Sequence, residues 1–376
     1  VFGFFFFFYR QLQSFKPDKI LFFARDAQLL QKIHTLISNR YIRFKYPHDY
    51  VYISRFSTYP LSFSEFRLDR ICYLLLGKTH KSVKDICHPV GIETEFLTDR
   101  LNTFGLTEST IVNTDELKKK VYDFISTEFS LVSQYSAKQY KQYHEYFTNF
   151  VNDSDNIAIV DIGWHGNIQT NFNACVLDER KNTQIKGFYI GLLTGASVNL
   201  NENTPMSGWF VNINDQPRHS KLLYEGGVEI LEFVFSANHG STLGYEKQQN
   251  GQIKPILENK THSELDYEQK ALRVQNGILK FIENHCFLLD TFPLEALDSL
   301  AWSKPFCLLV ESPSIEHATL LGDLTHSDNA GGNSNRVHLA QKLSFYHRIF
   351  KTKEYRIEKN KSFWKKAFVL RNQIFP

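Results

Sequence analysis

The stretch from Ile157 to Gln169 constrains this chain more than any other. Ile157 to Val160 are apolar and mostly β-prone, and read as a buried strand. Asp161 stands where that strand would end. Gly163 and Gly166 then break the pattern, and Asn167 opens a segment that can turn helical. Strand, acid, glycines and helix in that order predict one corner of an open α/β sheet. In such sheets ligands bind outside the carboxyl ends of the strands. The two glycines permit positive φ and a close approach of backbone to a ligand. Asn167 is a good N-cap, and a helix N-terminus attracts phosphate. A carboxylate beside an N–H cradle suits a ligand with hydroxyls at one end and a phosphate at the other. An ordinary strand–turn–helix corner carries the same pattern without a ligand.

Two earlier stretches repeat the layout. Ile20 to Phe23 form a continuous apolar run, as buried parallel strands do, and Arg25 and Asp26 follow at its end. Leu29, Leu30, Ile33, Leu36 and Ile37 then recur at helical spacing. Val51 to Ile53 predict another strand, ending in Ser54 and Arg55. If these strands are parallel neighbours, Arg25, Asp26, Ser54, Arg55 and Asp161 converge on one rim. Arg25 can serve there as a phosphate fork; an Arg–Asp pair that only holds a loop is the plainer reading. Lys186 to Leu193 and Gly208 to Ile213 predict a fourth and a fifth strand.

Between the second and third strands the texture changes. FRLDRICYLLL and ELKKKVYDFISTEF are helical patterns, punctuated by Pro89, Gly91 and Gly105. Residues 61–150 are therefore expected to form a helical insertion or cap over the rim. Tyr140, Tyr143, Phe147 and Phe150 share a helix face, better suited to core packing than to stacking bases. Further on, Glu225, Glu229 and Glu232 are spaced by four and three, so they can share a face. Ile230, Leu231, Phe233, Val234 and Phe235 surround them. That helix ends at His239-Gly240-Ser241, a small-residue turn that can approach a ligand. Residues 1–245 thus read as an α/β core. Residues 246–376 read as a mainly helical region, with a hairpin near Asn250-Gly251, a long helix from Ser263 to Leu289, a flexible loop at Asp328 to Asn335 and a basic tail containing Trp364.

Charge and cysteines exclude some classes. Forty-three Lys and Arg against 40 Asp and Glu give a net charge of +3, no argument for a nucleic-acid partner. Cys72, Cys87, Cys175, Cys286 and Cys307 are widely spaced, with no CxxC pair, so neither a disulfide framework nor a zinc site is expected. A reducing, cytoplasmic compartment fits best. Residues 2–9 are very apolar but shorter than the roughly 20 residues that span a bilayer. No charged segment precedes them and no small-residue cleavage site follows, so a signal peptide is not expected. The start at Val1 is compatible with a piece of a longer polypeptide. The basic tail can contact an anionic membrane surface or an acidic polymer; a solvated helix with one anchoring Trp reads equally well.

ILFFARDAQLL, VYISR, VDIGWHGNIQ, GFYIG and EILEFVFSANHGS occur here in one order. Together they resemble a region of large bacterial surface-polysaccharide biosynthesis proteins, where it follows a haloacid-dehalogenase-type (HAD) phosphatase domain. The resemblance covers about residues 1–245 well and the remainder loosely. It implies a phosphoribosyltransferase-like fold recruited as a glycosyltransferase. Such enzymes move ribofuranose 5-phosphate from phosphoribosyl pyrophosphate to a growing, lipid-linked glycan, and the phosphatase then removes the 5-phosphate.

Carried over by position, the resemblance makes Ala24-Arg25-Asp26-Ala27 the pyrophosphate loop. Asp161 becomes the acid on the ribose hydroxyls, and Gly163, Trp164, His165, Gly166 and Asn167 the 5-phosphate loop, with Gln169 orienting the helix start. The residues themselves, apart from the resemblance, offer Arg55 as a second cation, Ser54, His239 and Ser241 as substrate contacts, and Glu229, Glu232 or His165 as a general base for the acceptor. Mg²⁺ is the implied cofactor, held without a dedicated protein cage and at most by Asp161 through water. The sequence departs from the family in three ways. Ala27 stands where Gly is usual, Ile162 stands where ordinary phosphoribosyltransferases have a second acid, and the HAD phosphatase signature is absent. Asp153 and Asp155 precede a strand, a poor place for a phosphatase nucleophile.

Other readings of D-x-G-x-x-G remain. A methyltransferase using S-adenosylmethionine wants small residues where Trp164 and His165 stand, and an acid ending the next strand. An actin-like kinase needs an internal repeat, and none is found. A non-catalytic module docking a phosphatase partner is the third alternative.

Overall fold

The computed structural model describes residues 1–63, 81–151, 156–177, 183–326 and 337–373. The helical pattern at 66–76, the polar link at 152–155 with Asp153 and Asp155, Cys72, and the loop expected at Asp328 to Asn335 lie outside the described residues.

Five parallel strands form the central sheet: β1 (Lys19–Phe23), β2 (His48–Val51), β3 (Asn156–Trp164), β4 (Gln184–Leu192) and β5 (Met206–Asn212). Their order is β2-β1-β3-β4-β5, and every pairing is parallel. All five expected strands are present, two with shifted ends: β2 stops at Val51, short of the expected Ile53, and β3 does not end at Asp161 but runs on to Trp164, paired with β4. The apolar runs are fully buried because both sheet faces are covered, which is why they lack the alternation of a half-exposed strand. From β1 the chain first adds a strand on one side and later adds three on the other. The order therefore reverses between β1 and β3, and a crevice opens at their carboxyl ends.

On one face lie helix α1 (Phe2–Phe15) and helix α2 (Gln28–Arg40). Phe4, Phe5, Phe6 and Phe8 are all fully buried, so the apolar start of the chain is a core helix buried nearly all round. It ends at Lys16, in the left-handed conformation just before Pro17. Phe8 packs edge-on against Phe188 of β4, and Tyr9 stacks on Phe44 at 4.2 Å. On the other face lie α3 (Phe129–Val151) and α4 (Asn167–Val176). Tyr143, Phe147 and Val151 of α3 meet Leu21, Phe23, Ile157, Ile159 and Phe172 there, so the aromatic stripe is core, as expected.

The segment 61–150 is mostly helical where described, but it is not a lid throughout. Its last helix, α3, is a structural layer of the sheet. Residues 83–132 pack around Val83, Ile86, Val121, Phe124 and Ile125, a cluster of their own. A short antiparallel pair, Lys81–Ser82 with Ile111–Val112, closes that unit.

Helix α5 (Val228–Phe235) and the long helix α6 (His262–His285) follow, with the expected hairpin, Thr242–Lys247 against Ile253–Leu257, between them. Tyr245 of the hairpin enters the core shared with α3. The C-terminal region is not a separate body: Ala271, Ile282, Val310, Trp364 and Phe368 belong to the same apolar cluster as Phe22 and Val160. Among the described residues no helix is long and apolar enough to cross a membrane. Cys87, Cys175, Cys286 and Cys307 are free thiols.

Candidate functional site

The carboxyl ends of β1 and β3 flank the point where strand order reverses. After β1 the chain turns through Ala24, Arg25, Asp26 and Ala27 into α2. Gln28 N–H donates to the Arg25 carbonyl (3.1 Å), and Ala27 N–H to Phe23 (3.1 Å). Ala27 caps α2 with φ −83°, so the alanine is accommodated without positive φ. Tyr50 of β2 holds this turn from the side. Its hydroxyl lies 3.3 Å from the Arg25 carbonyl and 2.8 Å from His239 Nε2. His239 Nδ1 lies 2.8 Å from the Gly240 carbonyl. A carbonyl can only accept, so Nδ1 carries the proton and Nε2 accepts from Tyr50. Gln28 and Asn238 bond reciprocally (2.8 and 3.3 Å), pinning the turn before His239 to the start of α2.

Past Asp161, β3 continues to Trp164, and the second loop turns through His165 and Gly166 into α4. Gly163 has φ +141°, and a Cβ there would run into the Gly191 carbonyl oxygen. Gly166 has φ +72° and lies against Met206. Gly163 is therefore required by conformation and by space, and Gly166 by conformation, since the end of the Met206 side chain can move aside. Gly166 is itself the N-cap of α4, and Asn167 is the first helical residue; the expected Asn167 cap is corrected by one position. The Asn167 side chain instead accepts from Asn199 Nδ2 (2.6 Å), which also donates to the His165 carbonyl (2.8 Å). Asn199 is 2% exposed and braces the whole loop from the turn after β4. The peptide bonds Ala24–Arg25 and Gly163–Trp164, one in each loop, are cis.

Asp161 sits between the loops, 6% exposed, and accepts from the Ile162 N–H at 2.7 Å. Burial pushes its carboxyl well above the usual range. Asp26 adds to the rise, the Ile162 hydrogen bond opposes it, Glu232 adds and Arg55 opposes. Asp26, Arg25 and Asp161 all act on Tyr50 as well, whose hydroxyl burial drives upward. Arg25, Asp26, Arg55, Asp161 and Glu232 thus share one electrostatic neighbourhood, drawn from three strand ends and a helix. Glu232 accepts from Trp164 Nε1 at 3.0 Å, which ties α5 to the loop.

Several expected site residues have other engagements. Ser54 is a helix cap: it accepts from Ser57 N–H (3.0 Å) and donates to the Thr242 carbonyl (2.6 Å). Gln169 is fully buried beneath the loop, donating to Pro205 (3.2 Å) and accepting from the Tyr189 hydroxyl (2.7 Å). It braces α4 against β4 and does not reach the rim. Glu225 leaves the expected acidic face, because Glu225 and Gly226 break the helix with non-helical backbone angles. Glu229 is 7% exposed in the first turn of α5, and Glu232 is the carboxylate that meets the loop. Ser241 is half-buried, and its carbonyl accepts from Glu258 N–H. His165 is exposed, with its ring over Gly195.

Tyr50, Asn199 and the Gln28–Asn238 pair were missed by the sequence. Tyr50 had one signal, an aromatic hydroxyl immediately before the predicted strand Val51–Ile53. Asn199 had none, because its partners lie more than thirty positions away.

Among the described residues no group of three or more His, Cys, Asp or Glu side chains is arranged to hold a metal by itself. The carboxylates of Asp26 and Glu232 both act on Asp161 over longer range. Hard oxygen donors with net negative charge fit Mg²⁺ carried largely by water and ligand oxygens. Chemically, the rim offers a cationic side (Arg25, Arg55), a buried acid, and a loop whose N–H groups open onto a helix N-terminus. No family model matches the chain, and no curated protein matches it significantly.

Proposed function

We propose that the chain is a phosphoribosyltransferase-type glycosyltransferase, binding phosphoribosyl pyrophosphate at this rim and moving ribofuranose 5-phosphate to a surface-polysaccharide acceptor. The observation that carries the reading is the placement of Asp161, buried between a cationic turn and a glycine loop that leads into α4. A ligand with two hydroxyls at its middle, a pyrophosphate at one end and a phosphate at the other matches that order of groups.

In this reading the anomeric C–O bond to pyrophosphate breaks, and a bond from carbon to the acceptor oxygen forms. The acceptor proton passes to a base or to water. Negative charge grows on the leaving group, where preorganised donors act most strongly. Arg25 and the N–H groups of its turn face that charge, with Arg55 as second cation. Asp161 holds the ribose hydroxyls and favours positive charge on the ring. Gly163, Gly166 and Asn167 grip the 5-phosphate. Glu232 is better placed than Glu229 to take the acceptor proton, since it borders the loop. Mg²⁺, bound with the substrate, would neutralise pyrophosphate charge and relieve the repulsion among Asp26, Asp161 and Glu232. The product keeps a 5-phosphate, so a HAD-type phosphatase is the expected partner, and the cytoplasmic face of the membrane the expected place.

Calorimetry with phosphoribosyl pyrophosphate, with and without Mg²⁺, tests the reading. Binding that requires Mg²⁺ is expected, and Arg25→Ala should cut transfer by about 10²-fold, the scale of losing one positioned donor. Binding of S-adenosylmethionine or a nucleotide sugar in its place would overturn it.

A further inference from the structure

The C-terminal tail divides into a part built into the core and a part held away from it. Trp364 is fully buried; its backbone N–H donates to Leu339 (2.8 Å) and its indole to Val310 (3.0 Å). Ser362 Oγ donates to Leu339 (2.6 Å), Leu343 N–H to Asn372 Oδ1 (2.7 Å), and Asn372 Nδ2 to Gln341 (2.9 Å). These bonds staple residues 339–343 to residues 362–372. The single Trp of the tail is therefore an anchor to the body.

Between the staples stand two short helices, Phe345–Phe350 and Thr352–Lys361, and neither buries a residue. Tyr355, edge-on to Phe368 at 5.4 Å, ties the second helix to the body. Phe345, Tyr346 and Phe350 are 60%, 55% and 67% exposed, and Ile357 of the next helix is exposed too. One exposed ring is ordinary, but three within six residues make a patch. The patch is also basic: Arg348, Lys351, Lys353, Arg356, Lys359 and Lys361 stand against Glu354 and Glu358. Both acids pair inside the unit, Glu354 with Lys351 (3.2 Å) and Glu358 with Lys361 (2.9 Å). Lys353 and Arg356 are exposed and have no ion-pair partner among the described residues. Arg348 lies 5.6 Å over the Phe345 ring and donates from Nη1 to the Gln373 carbonyl (3.1 Å), so it ties the first helix to the body and leaves Lys353 and Arg356 as the exposed cations beside the rings.

We propose that residues 345–361 dock the protein on an anionic lipid bilayer surface. Aromatic rings gain from the headgroup boundary, and neighbouring Lys and Arg gain from anionic lipid. A soluble polyanion would use the charges and leave the rings in water. A second copy of the chain would bring like charges together across a two-fold contact. The proposal is independent of the transfer reaction, and its test reads lipid binding alone.

The full chain is floated with vesicles of phosphatidylcholine, with and without a third of phosphatidylglycerol, at low and high salt. Binding to the anionic vesicles only, falling with salt, is expected. Phe345→Ser/Phe350→Ser and Lys353→Glu/Arg356→Glu should each lower partitioning by about tenfold or more, given roughly fivefold per basic residue near anionic lipid. Melting temperature should stay unchanged, because none of the four side chains is buried. Absent binding, equal binding to neutral vesicles, or full binding by both variants would overturn the proposal. Loss in the charge variant alone, with wild-type binding by the ring variant, would mean a polyanion site and overturn it as well.

Discussion

Asp161 concentrates the physics of the rim in one side chain. Burial, Asp26 and Glu232 all disfavour its charged form, and only the Ile162 N–H and Arg55 favour it. Its folded pKa is therefore raised, so its contribution to stability is fully present below the usual Asp range near ~4 and is lost as pH rises through the folded value. Asparagine keeps the acceptor for Ile162 and cannot ionise. Asp161→Asn should then match the wild type near pH 4 and exceed it at pH 8, by about 1 kcal/mol, the scale of single stabilising changes. Thermal melts at both pH values check this, and a wild type that gains on the variant as pH rises contradicts it. The same substitution should cut transfer by about 10²-fold or more. Stability gained where activity is lost is the pattern of a group placed for a ligand. A plain strand corner would show the first effect without the second.

At the scale of the loop, Gly163 and Ala27 make opposite predictions. Gly163→Ala puts a methyl group into the Gly191 carbonyl at φ +141°, against backbone of the neighbouring strand and no flexible side chain that could yield. It should cost on the order of 3 kcal/mol in urea unfolding. Ala27→Gly enters a position at φ −83°, where glycine gains no conformation that alanine lacks. It should lower stability by about 0.5–1 kcal/mol through unfolded-state entropy. A Gly163→Ala protein as stable as the wild type would mean the loop can take another path. The glycines were legible because positive φ leaves a local mark in sequence. So were the five strands, though not all their ends: β2 stops at Val51, and β3 runs through Asp161 to Trp164. The partners of Gln169 and Ser54, namely Tyr189, Pro205 and Thr242, were illegible because they come from remote segments. The break at Glu225 was hidden too, since Glu225, Glu229 and Glu232 keep helical spacing in sequence while Gly226, at φ +112°, ends the first turn. Strand order was illegible for the same reason: no local signal says that β3 pairs with β1 and not with β2.

Three apolar clusters set the mechanics of the whole molecule. The largest runs from Phe2 to Phe368 across one sheet face, so the first helix and the C-terminal region stand or fall together. The second fills the opposite face beneath α3 and α4. The third, around Val121 and Phe124, is built from buried residues of 83–132, with Tyr59 packed against it from outside. Segments with their own small core open at lower free energy than strands buried on both faces, and segments that bury nothing open most readily. Hydrogen exchange should therefore be slowest in β1, β3 and β4, faster through 83–132, and fastest in 345–361. Adding phosphoribosyl pyrophosphate with Mg²⁺ should slow exchange at 24–28 and 161–167 and leave 345–361 unchanged; anionic vesicles should do the reverse. A ligand that binds only the folded state at 100 times its Kd adds about 2.7 kcal/mol, enough to read at the two loops. Protection of 345–361 as deep as that of β3 in the free protein would mean that this hairpin is packed against the body. The docking surface would then be lost as an idea, while the rim between β1 and β3 would keep its own test.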